Sequence, residues 1–207
     1  APRKGLGNEL AYKYFSGQNS YGDYLSAVQQ STSVDFEALS LALNRLIENP
    51  SLRLKMGSSG RERVNSTYNW PRIISAYEDL WSELAKRRAC DEEINPLATG
   101  SPFHPSRPDP FDMFASFPSR QFTEEGNIEI IITNWSEALN LISLKVGFVY
   151  SESLVEIERI PILFKNLEPG SPVQIKSLIR ALPTINSTKL MLTLAWLVKL
   201  GICRYYP

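Results

Sequence analysis

The sequence predicts a mainly α chain with minor β, arranged in successive parts along 207 residues. Three observations carry that expectation. Apolar residues recur at three- and four-residue intervals between Phe36 and Leu84, bracketed by residues suited to start and stop helices. Two β-prone runs, IEIIIT at 128–133 and LKVGFV at 144–149, lie in the second half. After residue 153 the pattern reads as three helices and a terminal strand.

Taken in order, residues 1–33 form an aromatic-rich stretch. Asp35 is placed to cap a helix whose apolar stripe is Phe36, Leu39, Leu43, Leu46 and Ile47, with Asn49-Pro50 to stop it. Ser51 is read as the cap of a second helix, in which Leu52, Met56, Gly60 and Val64 fall four apart. That stripe puts Gly60 on the apolar face, where a missing side chain admits a neighbouring backbone. Asn69 caps a third helix with Pro71 in the tolerated first turn and a wide stripe of Ile73, Ile74, Tyr77, Leu80, Trp81 and Leu84. It closes on Lys86-Arg87-Arg88, cations suited to a helix C-terminus.

Residues 94–121 hold six prolines and four phenylalanines, too many prolines for regular structure and too many aromatics for a solvated spacer. The expectation is a linker that adheres to a surface, with one short helix in DPFDMF capped by Asp109 and begun by Pro110. NWSEALNLIS, between the two β-prone runs, has a helical reading. Beyond it come expected helices at 154–167, 173–182 and 187–200, then Gly201 and the strand-like ICRYY. Three helices and a strand suggest a small winged-helix-like module at 154–207.

Hydrophobic residues are 43% and charged residues 21%, the composition of a folded chain, and the formal charge is zero. That balance supplies no general attraction to nucleic acid or anionic membrane. Cys90 and Cys203 lie far apart with no metal-ligand spacing around them, so a reducing, cytoplasmic setting with idle or buried thiols is expected. No apolar leader and no run long enough to span a bilayer is present, and the missing initial Met suggests a fragment or processed chain.

The run from Leu41 to Leu84 carries ENP at 48–50, Leu52-Arg53, Met56-Gly57, Gly60-Arg61, Arg63-Val64, Tyr68, Trp70, Tyr77 and Leu80-Trp81. In this order, over residues 34–84, it resembles the C-terminal end of bacterial retaining GT-B-type glycosyltransferases, the family-four-like group 1 enzymes. Residues 1–33 look like an insertion found in a subset of them. The resemblance implies an incomplete, C-terminal part of a Rossmann-like donor domain whose last helix, here 70–88, crosses onto a domain this chain lacks. The family's paired glutamates, separated by seven residues in a Gly-rich strand-to-helix region, would precede residue 1. Glu129 and Glu137 have that spacing, but 16 Glu in this chain yield about one such pair by chance, and the pair falls on the wrong side of the crossover helix.

Several residues invite a sharper reading beside a plain one. Arg61 and Arg63 have the chemistry to hold a sugar-nucleotide phosphate, although a solvated helix face accounts for them more simply. His104, in PFHPSRP, lacks an acidic partner nearby and reads as surface. Tyr12, Tyr14, Phe15, Tyr21 and Tyr24 have faces that stack on sugar rings or anchor an insertion, and Asn8, Glu9 and Lys13 share their segment. A recognition helix for DNA is disfavoured, because STKLMLTLAWLVKL offers only Lys189 and Lys199 to phosphate.

These readings give four parts: 1–33, the insertion; 34–90, the helical end of the donor domain; 91–121, the Pro/Phe-rich linker; and 122–207, a small accessory domain. By resemblance the whole enzyme transfers a sugar from a UDP- or GDP-linked donor to a glycan or glycoconjugate acceptor in polysaccharide biosynthesis. This chain alone is expected to lack catalytic residues, an assigned substrate-binding set, metal ligands and any cofactor of its own. Its expected partners are the missing N-terminal catalytic domains and a protein bound by the C-terminal domain, with no nucleic acid. The competing expectation is a non-enzymatic interaction module with a winged-helix-like end.

Overall fold

The computed structural model describes residues 1–90, 108–144 and 151–207. In chain order the elements are α1 (Asn8–Phe15), α2 (Tyr21–Gln30), α3 (Phe36–Glu48), α4 (Pro50–Thr67), α5 (Trp70–Cys90), α6 (Pro110–Met113), β1 (Asn127–Ile130), α7 (Trp135–Ser143), α8 (Ile160–Phe164), β2 (Val173–Gln174), α9 (Ile175–Ala181), α10 (Ser187–Lys199) and β3 (Cys203–Tyr206). The chain is mainly helical with one three-stranded antiparallel sheet, in the order β2-β1-β3.

Two compact units emerge from the described residues: 35–90 in one, and 1–34 together with 108–144 and 151–207 in the other. This grouping differs from the expected parts. Leu6, Leu10 and Ala27 of the first segment are buried in the same core as Phe111, Phe122, Ile128, Leu163 and Leu194, so residues 1–33 join the C-terminal half rather than the helices that follow them. Residues 108–121 also belong to this core unit, because Asp109, Pro110 and Phe111 are buried. The rest of the expected linker, His104 included, lies outside the described residues.

In the larger unit, β1 alternates sides, with Ile128 and Ile130 buried and Glu129 on the other face. Its register with β3 runs from Asn127 opposite Tyr206 to Ile130 opposite Cys203, and with β2 from Asn127 opposite Gln174 to Ile128 opposite Val173. The strand stops short of the expected 133, where Asn134 turns the chain into α7 by accepting from the Ser136 N–H at 2.9 Å. Of the second β-prone run, residues 145–149 lie outside the described residues. α10 runs through the core with Leu190, Met191, Leu192, Leu194, Trp196 and Leu197 all buried. Gly201 ends it at φ 73°, a left-handed conformation that turns the chain into β3 without a Cβ penalty.

The expected helix over 154–167 is not continuous. Short 3₁₀ turns occupy 151–153 and 157–159, and α8 starts only at Ile160. Pro161 has no N–H to give a helix interior, so it sits in the first turn of α8 instead. The Val155 N–H donates to Thr193 Oγ1 at 2.9 Å, a tertiary bond that replaces a helical one. At 173–182 the first two residues pair as β2 before α9 begins.

The smaller unit consists of α3, α4 and α5. Asp35 caps α3 through the Ala38 N–H at 2.9 Å, and Asn69 accepts from the Arg72 N–H at 3.1 Å as α5 starts. Asn49, not Ser51, caps α4: its Oδ1 accepts from the Leu52 N–H at 3.0 Å, while Ser51 donates its hydroxyl to the same oxygen. Pro50 then takes the first helical position. Gly60 has open space where a Cβ would stand, so the expected close backbone approach is absent there. None of the described residues of this unit is buried.

Candidate functional site

On α4, side chains four apart line an open cleft of about 750 Å³, formed by Arg53, Gly57, Ser58, Arg61, Glu62 and Asn65 with their neighbours on the same helix face. Arg53 is already engaged: its guanidinium donates to the carbonyls of Leu46 at 2.6 Å and Ile47 at 2.8 Å, closing the end of α3. Arg61 lies in the cleft beside Glu62. Arg63, two residues on, lies outside it, with its guanidinium 5.9 Å from the Tyr68 ring centroid and 3.5 Å from the Tyr68 hydroxyl. Residues two apart on a helix do not share a face, so Arg61 and Arg63 do not converge on one anion.

The aromatic residues of the first segment meet at the α1–α2 corner. Ser20 starts α2 with a capping box, accepting from the Asp23 N–H at 3.2 Å while the Asp23 carboxylate accepts from the Ser20 N–H at 2.9 Å. This brings Tyr24 into a stack on Tyr14, with centroids 5.0 Å apart, and Tyr21 to 5.8 Å from Tyr14. Tyr12, Phe15 and Tyr21 remain about half exposed. Lys13 pairs with Glu9 at 3.0 Å and Glu152 at 3.4 Å, and buried Gln30 donates to Ser153 Oγ at 2.9 Å. The polar members of the segment thus tie α1 and α2 to the turn at 151–153, as an anchor does. Asn8 stands exposed at the start of α1.

Glu129 and Glu137 have separate structural duties. The Glu129 carboxylate accepts from the Tyr206 hydroxyl at 2.5 Å and the Gly170 N–H at 2.9 Å, and these donors hold its pKa below the ordinary value. Glu137 lies in the first turn of α7, where a carboxylate complements the helix dipole. Burial pushes the Cys203 thiol up to about 12, whereas Cys90 is exposed. No group of three or more metal-ligating side chains occurs among the described residues.

Asp109 is buried and accepts from three backbone N–H groups. Its Oδ2 accepts from the Gly5 N–H at 2.6 Å and the Gly7 N–H at 3.2 Å, and its Oδ1 from the Phe111 N–H at 2.8 Å. A Cβ on Gly7 would fall 2.6 Å from Pro110 Cδ, so only glycine lets the first segment come this close. Sequence reading finds the cap at Asp109 because it is local. The clip onto Gly5 and Gly7, about a hundred residues away, has only the spacing of those two glycines as its signal. No protein-family model, curated protein or solved structure matches this chain.

Proposed function

We propose that residues 34–84 are the helical end of the donor-binding, Rossmann-like domain of a cytoplasmic GT-B-type glycosyltransferase. The observation that carries this reading is the bare apolar stripe of α5, in which Ile74, Tyr77, Leu80, Trp81 and Leu84 are all about half exposed or more. An amphipathic helix with so wide an apolar face calls for cover, and a crossover helix taken from its parent enzyme has that character. The ordered motif from ENP to Leu80-Trp81 supports the same assignment. In this reading the UDP- or GDP-sugar and the catalytic groups belong to domains outside this chain, and a sugar is transferred to a glycan or glycoconjugate acceptor with retention. In this reading the chain alone does not catalyse, because the preorganised groups that stabilise a leaving diphosphate would be supplied by those other domains.

Titration calorimetry of UDP, GDP and their sugar conjugates tests this, using the chain itself and the chain extended through its upstream coding region. Heat from the extended protein alone supports the transferase. Binding to neither refutes it.

A second reading has its own observation. Residues 1–34 share a core with 108–144 and 151–207, so the segment preceding the helices is built into the accessory part rather than into a donor domain. This favours an interaction module with a winged-helix-like end that docks a protein partner. Burial of α10 on nearly every face supports a structural role for that helix over DNA reading, and Lys199, one of its two cations, donates to the Gln29 carbonyl at 2.6 Å.

A further inference from the structure

We draw no further inference here: the strongest candidate, the exposed apolar stripe along α5 in the three-helix unit, belongs to the reading already proposed, and nothing in the structure shows what else covers it.

Discussion

Replacing Asp109 by alanine removes one carboxylate that serves three backbone N–H groups, two of them in a segment about a hundred residues away. Losing the cap on Phe111 costs about 1 kcal/mol. The Gly7 N–H is left buried without its acceptor, which adds about 1–3 kcal/mol. Gly5 is more open and regains water, so its share is small. The total is about 2–4 kcal/mol, and with a urea m-value of about 2 kcal/mol/M the midpoint falls by roughly 1–2 M. Tryptophan fluorescence reads this loss in the right unit, since Trp196 is buried there while Trp70 and Trp81 in the other unit are 73% and 63% exposed. Asp109→Asn should fall between the two, because its single carbonyl oxygen serves one side of the clip and its amide faces donors on the other. Asp112→Ala is the control: it removes only an exposed pair with Lys4 and should cost no more than about 0.5 kcal/mol. An Asp109→Ala midpoint indistinguishable from that of Asp112→Ala would refute the claim that Asp109 joins the first segment to the C-terminal half.

Gly7→Ala should destabilise the larger unit by about 1–3 kcal/mol, as overpacking does, read by the same urea assay. Gly60→Ala should instead stabilise α4 by about 0.8–1 kcal/mol, because open space leaves only the helix-propensity gain. A loss of helix protection in amide exchange for Gly60→Ala would restore the close-approach reading. With a thiol reagent such as DTNB, the native protein should react rapidly at Cys90 alone and at Cys203 only once unfolded, since burial keeps that thiol protonated; two rapid equivalents would contradict this. Glu129 has its folded-state pKa below the unfolded one, so its stabilising contribution is complete above the unfolded value and is lost as pH falls through the folded value. Tyr206→Phe removes the larger cause and should raise the Glu129 pKa in a carboxyl NMR titration; an unchanged value would exclude the hydroxyl as that cause.

What the sequence made legible was local. Asp35, Asn69 and Asp109 each announce a helix start because the acceptor and its N–H are two or three residues apart. The scarcity of cations in α10, with only Lys189 and Lys199, likewise spoke against a DNA-reading helix. Hidden features depend on distant groups. Thr193 draws Val155 out of a helix from 38 residues away, and no local pattern reveals that bond. Gly60 sits on an apolar stripe by spacing, yet whether anything fills the gap depends on packing. For Arg61 and Arg63 the separation around the helix was implicit in their two-residue spacing, but the engagement of Arg63 with Tyr68 was not.

The placement of residues 35–107 between two segments of one core has a consequence for how the protein is made. Bringing residue 34 back to residue 108 closes a long loop, at an entropic cost of roughly 4 kcal/mol if the intervening chain were flexible. On the ribosome, α1 and α2 emerge early, yet the core that buries Leu6, Leu10 and Ala27 is complete only when α10 and β3 have been synthesised. Formation of α3, α4 and α5 in the interval stiffens the intervening chain from within. Until β3 pairs with β1, the nascent chain therefore presents uncovered apolar surface on α1, α2 and β1, a window in which a holdase chaperone would have the most to bind.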